Sequence, residues 1–248
     1  SYSTDGNALH GATVSVEGLA AVPTDVVVRI SLLNGTEHSA VLRSNNTSFT
    51  IPEQVTNGEL AVSYWRMGTI HILEGFDHLL FLLTLLLIVT GIWPLLKTVT
   101  AFTLAHSLTL ALATLDLVHI PQVPTEGVIS LSIMLLAVEV VRKNQGDLTL
   151  SERFPWLIAF TFGLVHGLGF AGALYEIGVP QHAVPLALLM FNVGVETGQI
   201  IFVLTVSLIL AGLSRLHGHT ALTLVRATPY AIGGVAAFWT IDRVSSFL

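Results

Sequence analysis

Long apolar runs dominate the chain after residue 66 and constrain its fold more than any other feature. A helix needs about 20 mostly apolar residues to cross the ~30 Å hydrocarbon core of a bilayer. About six runs meet this length. They lie near residues 67–91, 95–118, 124–142, 154–176, 183–213 and 221–241. Since only 10% of the 248 residues are charged, against roughly 25% in a soluble domain, we predict a polytopic α-helical membrane bundle.

Residues 1–65 differ from the rest because their apolar and polar side chains alternate. A period of two is typical of strands with one buried face. The predicted strands are Thr13–Glu17, Val26–Leu32, Ala40–Leu42, Ser48–Ile51 and Leu60–Trp65. We therefore expect a small all-β, sandwich-like domain over residues 1–65 and the bundle over residues 66–248. The first residues lack the charged and apolar regions of a signal peptide, so a processed or trimmed start is expected.

The distribution of Lys and Arg among the predicted loops indicates the orientation of the bundle, since cytoplasmic loops carry an excess of both. Loops after the first, third and fifth runs contain basic residues, whereas loops after the second and fourth contain none. The basic residues are Lys97, Arg142, Lys143, Arg153, Arg215 and Arg226. This pattern predicts an extracytoplasmic β-domain and C-terminus, and only Arg243 near the end of the chain opposes it.

The composition excludes several classes of site and partner. The chain contains no cysteine, which rules out disulfide scaffolds, thiolate zinc sites, iron–sulfur clusters and cysteine nucleophiles. Any metal site must therefore use His, Asp, Glu, Asn or Gln. The net charge is −6 and the ten Lys and Arg residues are spread along the chain. Without a basic stripe, no nucleic-acid partner is expected.

The first apolar run contains several ionisable residues, which are costly at bilayer depth unless they are paired or face water. His71, Glu74 and His78 share one stripe of an ideal helix, with Asp77 displaced towards it. His71 and His78 would be about 10.5 Å apart along a straight helix, so both can bind one ion only if the helix unwinds near Gly75. The alternative is an interfacial cap, in which acids near the helix N-terminus favour the helix dipole and histidines reach the interface.

Three further runs carry polar residues that should face the interior of the bundle. His106 lies near the middle of the second run, and His166 lies among glycines in the fourth. The glycines also suit a helix-packing motif, which is compatible with a functional histidine. In the fifth run Asn192, Glu196 and Gln199 form one stripe. Polar contacts between helices explain the two amides, but they do not explain a carboxylate at this depth.

Glu139 in the third run leaves two interpretations open. Arg142 follows three residues later and could neutralise the carboxylate near the cytoplasmic surface. A functional role inside the bundle is equally compatible with its position.

The combination of imidazoles and carboxylates from several helices favours a divalent transition metal such as Ni, Co or Zn. Proton relays use the same residue types, so spacing alone leaves that alternative open. We expect His78, His106 and His166 to form the core of the site, with Asp77 as a ligand or as the acceptor that orients an imidazole. The full set of candidate metal ligands is His71, Asp77, His78, His106, His166 and Glu196.

Four motifs in a fixed order resemble the HupE/UreJ family of membrane proteins, and they cover most of residues 64–243. They are His71-x5-Asp77-His78, Ala105-His106-Ser107, His166-Gly-Leu-Gly-Phe-Ala171 and Phe191-Asn-Val-Gly-Val-Glu196-x-Gly198-Gln199. The resemblance is to the branch with an extracytoplasmic β-domain before the first span. It implies a multi-pass protein of the bacterial inner membrane, associated with nickel supply to hydrogenase and urease, with the histidines and aspartate of the first span as metal ligands.

Two functions are compatible with these residues, and both have membrane lipid and a divalent metal ion as partners. The first is a permease or facilitator for a nickel-type cation, with His71, Asp77 and His78 at the external mouth and the other candidate ligands deeper. The second is an intramembrane zinc-dependent hydrolase or transferase that acts on a lipid or a membrane-embedded peptide. In the second, Ser107 or Glu196 would assist proton transfer.

Overall fold

The structure is a computed structural model that describes residues 11–21, 25–31, 37–51, 56–169, 183–216 and 218–247. It divides the chain into two compact units, residues 1–56 and 57–248. The first unit contains the described strands and the second consists of helices.

The described residues of the N-terminal unit contain two small antiparallel sheets. Strand β1 (Thr13–Ser15) pairs with β4 (Ser48–Thr50), and β2 (Val26–Ser31) pairs with β3 (Glu37–Leu42). Leu19, Leu42 and Ile51 are almost completely buried. The prediction of a small all-β region at the N-terminus is thereby confirmed, with two two-stranded sheets among the described residues.

The fifth predicted strand, Leu60–Trp65, is wrong because these residues belong to helix α1 (Asn57–Glu74). Tyr64, Gly68 and Ile72 are buried at intervals of four residues, which is the spacing of one helix face. A Cβ atom on Gly68 would overlap the carbonyl oxygen of Phe191, so the glycine allows α1 to contact a later helix closely. Packing of this helix face overrides the short period-two pattern that predicted a strand.

The second unit packs its long helices in pairs. It contains α2 (Phe76–Ile88), α3 (Ile92–Thr114), α4 (Gln122–Gln145), α5 (Leu150–Arg153), α6 (Pro155–Gly169), α7 (Val184–Leu216) and α8 (Gly218–Ser245). Helix α1 packs along α7, α3 along α6, and α4 along α8. Helix α2 contacts members of all three pairs and buries Phe81, Leu82, Leu85 and Ile88, so it lies at the centre of the unit.

The membrane-spanning potential of these helices is partly as predicted. Helices α3 and α4 and residues 184–213 of α7 are long and apolar enough to cross a bilayer, and α1 and α2 meet the same test together. The described residues thus supply three candidate spans, or four if α1 and α2 count as one, and six are not confirmed. Helix α6 is apolar but has only 15 residues, and residues 170–176 of the predicted fourth run lie outside the described part. Helix α8 contains Arg226 and Pro229 within its length.

Residues of α4 and α5 form hydrogen bonds near the C-terminal end of the central helix α2 and with each other. Lys143 Nζ donates a hydrogen bond of 2.5 Å to the carbonyl oxygen of Ile88, one of the last carbonyls of α2. Glu139 Oε2 accepts hydrogen bonds from the Ser151 backbone nitrogen and hydroxyl at 3.1 and 3.0 Å. The carboxylate thus fixes the start of α5, which favours a structural role for Glu139.

Candidate metal centre

A break between α1 and α2 organises the site. The two helices meet at Gly75 at an angle of 71°. Gly75 has φ −77° and ψ 95°, an extended conformation between the two helices. Its N–H still donates to the carbonyl oxygen of His71, and its carbonyl oxygen accepts from the N–H of Leu79, both at 3.0 Å. A Cβ atom at this position would lie 2.6 Å from His78 Nδ1 and 2.8 Å from the carbonyl oxygen of His71. The bend therefore places both histidines so close to residue 75 that only glycine fits without a shift.

The break brings His71 and His78 together. Their ring centroids are 4.7 Å apart, against about 10.5 Å along a straight helix for residues separated by seven positions. The helix is therefore broken at Gly75, where a shared ion would require it to depart from a straight helix. Glu74, which an unbroken helix would place on the same stripe, is exposed instead.

His106 of α3 completes a group of three imidazoles. Its ring centroid lies 6.2 Å from those of both His71 and His78, and its side chain is fully buried. One ring nitrogen from each of the three lies within 4.8 Å of the others. Nitrogens bound at 2.0–2.1 Å to one tetrahedral ion are roughly 3.3 Å apart, so the group would have to contract by up to about 1.5 Å to ligate a single ion.

His166 of α6 lies beside this group. Its ring centroid is 5.3 Å from that of His78, and its side chain is almost completely buried. Gly163 and Gly167 face α3, where a Cβ atom on Gly167 would overlap the carbonyl oxygen of His106. The glycines thus have the packing role that their spacing indicates, and by that packing they hold His166 next to the three imidazoles.

Several buried ring nitrogens have no hydrogen-bond partner among the described residues. Both nitrogens of His78, of His106 and of His166 are in this state. Asn192 stands beside His106, but no hydrogen bond of normal geometry joins them. Because buried polar atoms are nearly always satisfied, unpartnered imidazole nitrogens facing one another indicate a site for a ligand. Nitrogen donors of this kind suit Ni, Co, Zn or Cu(II) better than Mg or Ca.

Asp77 forms an ion pair with Arg243, the residue near the end of the chain that opposes the orientation predicted from the sequence. Asp77 Oδ2 lies 3.1 Å from Arg243 of α8, and Arg243 also lies 3.5 Å from Glu126 of α4. All three side chains line a pocket of about 400 Å³. His71, His78 and His166 line the same pocket. Sequence reasoning missed Arg243 and Glu126 as site residues, since 166 positions separate Arg243 from Asp77 and no local spacing connects them.

Glu196 and Ser107 line a different groove, between α3 and α7, of about 440 Å³. Glu196 Oε1 accepts a hydrogen bond of 2.6 Å from Thr100, while Oε2 is buried without a partner among the described residues. Gln199 Oε1 accepts a hydrogen bond of 2.7 Å from Thr103 close by. Glu196 therefore does not belong to the imidazole group. It lies on the same helix as Asn192, and its Oε2 atom can still accept a hydrogen bond.

Comparison with known proteins identifies the family. The profile of a family described as HupE / UreJ protein matches residues 45–243, which is most of the chain and includes every helix that carries a candidate ligand. Searches of curated proteins and of solved structures gave no match. On the strength of the family match, this chain belongs to the HupE/UreJ family.

Proposed function

We propose that this protein is a membrane permease or facilitator for a nickel-type divalent cation, which binds first at His71, His78 and His106. The observation that carries the proposal is the group of three imidazoles at the helix break, with one nitrogen from each within 4.8 Å of the others. The association of the family with nickel and metal transport supports the same function.

Polar residues continue from the imidazoles along α7. Asn192 stands beside His106, and Glu196 and Gln199 follow at one and two further turns of the same helix. Each of the three keeps a buried polar atom without a partner in the described part of the chain. We propose that this stripe carries the cation inward and that Glu196 is a deeper station.

Hydrolysis in which Ser107 or Glu196 moves the proton receives less support than permeation. A zinc hydrolase needs a group next to the metal that moves a proton. Ser107 and Glu196, the two candidates for that role, line a groove that does not include His71, His78 or His166. The Ser107 hydroxyl donates a hydrogen bond of 2.6 Å to the carbonyl oxygen of Thr103 in its own helix.

We further propose that α6 and α8 also cross the bilayer, which gives about six spans, and that the β-rich unit is extracytoplasmic in a bacterial inner membrane. The Lys and Arg distribution supports this orientation. Arg243, the residue that opposed it, is half-buried in ion pairs with Asp77 and Glu126. Its charge is therefore neutralised within the protein and carries little weight as a topological signal.

The test combines metal analysis and transport on one preparation. The purified chain is loaded with Ni²⁺, Co²⁺ or Zn²⁺, bound metal is measured by elemental analysis, and uptake is followed in proteoliposomes that enclose a metal-sensitive dye. We expect about one ion per chain and saturable uptake, both lost in His106→Ala. His119→Ala is the matched control, since His119 is an exposed histidine paired with Asp116. Metal binding without uptake, together with release of product from lipid or peptide, would establish the hydrolase instead.

A further inference from the structure

Arg243 connects the two carboxylates of the pocket beside the imidazoles. Its guanidinium lies 3.1 Å from Asp77 Oδ2 and 3.5 Å from Glu126 Oε2. The same guanidinium donates hydrogen bonds to Ser130 Oγ at 2.5 Å and to the carbonyl oxygen of Glu126 at 3.2 Å. These bonds hold the guanidinium of Arg243 against α4. Its Nη2 atom then donates to Asp77 in the first turn of α2, one residue before His78.

The charged residues that line this pocket affect which cations it can bind. Asp77 and Glu126 contribute two negative charges and Arg243 one positive charge, next to the imidazoles of His71 and His78. Hard cations such as Mg²⁺ need oxygen ligands, above all carboxylates. Imidazoles instead favour transition metals. With Arg243 absent, both carboxylates would lose this ion pair, while Glu126 Oε1 would keep the hydrogen bond of 2.9 Å that Gln122 donates to it. Their free oxygens would offer Mg²⁺ the ligands that it prefers.

We propose that Arg243 is a specificity-determining residue for cation entry. By holding Asp77 and Glu126 in ion pairs, the guanidinium denies hard divalent cations their oxygen ligands. Selection is then made by imidazole nitrogens, which discriminate in favour of transition metals. The part of this inference that concerns the cargo rests on the proposed function, whereas the part that concerns Mg²⁺ depends only on the pocket.

The experiment measures the Ni²⁺ affinity of the purified chain of 248 residues with and without a large excess of Mg²⁺. In the wild-type protein, Mg²⁺ should leave the apparent Kd for Ni²⁺ unchanged. In Arg243→Gln, Mg²⁺ should raise the apparent Kd for Ni²⁺ on the order of tenfold, because the two freed carboxylates now bind Mg²⁺. Arg142→Gln is the matched control, since it removes the same charge from an exposed position outside this pocket.

Two further variants separate specificity from a merely structural effect. Arg243→Lys should show an intermediate Mg²⁺ sensitivity, because a lysine is a point charge and pairs with one carboxylate at a time. It also serves as the test if Arg243→Gln does not fold. Adding Asp77→Asn to Arg243→Gln should abolish the Mg²⁺ effect, whereas a general loss of packing would persist in the double variant.

The outcomes distinguish this inference from the proposed function. Direct titration of Arg243→Gln with Mg²⁺ alone tests the pocket without any Ni²⁺. If the wild-type chain binds no transition metal, the proposed function fails, yet new Mg²⁺ binding in Arg243→Gln would still support the role of Arg243. If the Arg243 variants are as insensitive to Mg²⁺ as Arg142→Gln, the inference is overturned whatever the wild-type chain transports.

Discussion

The imidazole rings of His71 and His78 lie with their centroids 4.7 Å apart although seven positions separate the two residues. A single residue, Gly75, makes this possible by ending α1 and starting α2 at an angle of 71°. Two side chains that a straight helix would place two turns apart therefore face one space. The helix break is thus part of the proposed binding site rather than a neutral connection.

Substitution of Gly75 by alanine should weaken metal binding and also lower stability. The new methyl group would lie 2.6 Å from His78 Nδ1 and must displace the ring. We expect the Kd for Ni²⁺ to rise by about tenfold or more, with a loss of stability of roughly 1–2 kcal/mol. Calorimetric titration and thermal unfolding measure the two effects. Gly212→Ala is the control, since no atom lies within 4 Å of a Cβ there, and a normal Kd in Gly75→Ala would contradict the prediction.

Removal of His106 and removal of His166 should have different consequences. His106 belongs to the group whose nitrogens lie within 4.8 Å of one another, and His166 lies beside it. We expect His106→Ala to lose stoichiometric metal, and His166→Ala to retain it with about tenfold lower affinity. Elemental analysis after dialysis separates the cases. Full metal retention by His106→Ala would show that this histidine is structural.

Enlargement of Gly167 should damage folding before function. A Cβ atom at this position overlaps both the carbonyl oxygen of His106 and the hydroxyl of Thr109, so α3 and α6 would have to separate. Gly167→Leu should cost about 3 kcal/mol or more and lower the yield of monodisperse protein in gel filtration. Gly234→Leu is the control at an exposed position with no atom within 4 Å. Equal yields from the two variants would disprove the close packing of these helices.

Neutralisation of Glu196 should slow transport without emptying the imidazole group. Its carboxylate is hydrogen-bonded to Thr100 in a separate groove. We expect Glu196→Gln to keep stoichiometric Ni²⁺ and to reduce the uptake rate in proteoliposomes by roughly tenfold. Glu139→Gln, whose carboxylate binds Ser151, should transport normally if it folds. Wild-type uptake by Glu196→Gln would remove this residue from the path.

The orientation of the chain is testable with reporters. We expect alkaline phosphatase fused at Ser1 behind a suitable export signal to be active, and a fluorescent protein inserted after Gly146, between α4 and α5, to fluoresce. The basic residues of that loop support a cytoplasmic position. Phosphatase activity from a fusion at Gly146 would contradict the proposed topology and indicate the opposite orientation.

Much of the helical unit could be predicted because apolar runs of about 20 residues are long-range signals that few other structures produce. His106 and His166 were recognisable for the same reason, since an imidazole within such a run is costly outside the protein interior. The requirement for unwinding at Gly75 also followed from the rise per residue of a helix. Leu60–Trp65 was misassigned because six residues of alternating pattern fit either a strand or the first turns of a helix.

The rest of the site could not be predicted because it depends on contacts between distant segments. Arg243 contacts Asp77 only because α8 packs along α4, and the sequence around neither residue indicates that the two will pair. In the same way, Glu139 had a plausible neighbour at Arg142 in sequence, yet it binds Ser151 on the following short helix. Sequence periodicity identifies which residues must face the interior, but tertiary packing decides which of them meet.

The short length of α2 has an electrical consequence. Helix α2 has 13 residues and reaches about 20 Å, so it needs α1 to form one broken span, and under the proposed topology the imidazoles at the break would lie inside the hydrocarbon core. A divalent cation held there would have crossed part of the transmembrane voltage, which is worth about 2.3 kcal/mol per 100 mV for each charge moved all the way across. Under that topology we expect an inside-negative voltage to raise the occupancy of the site from outside.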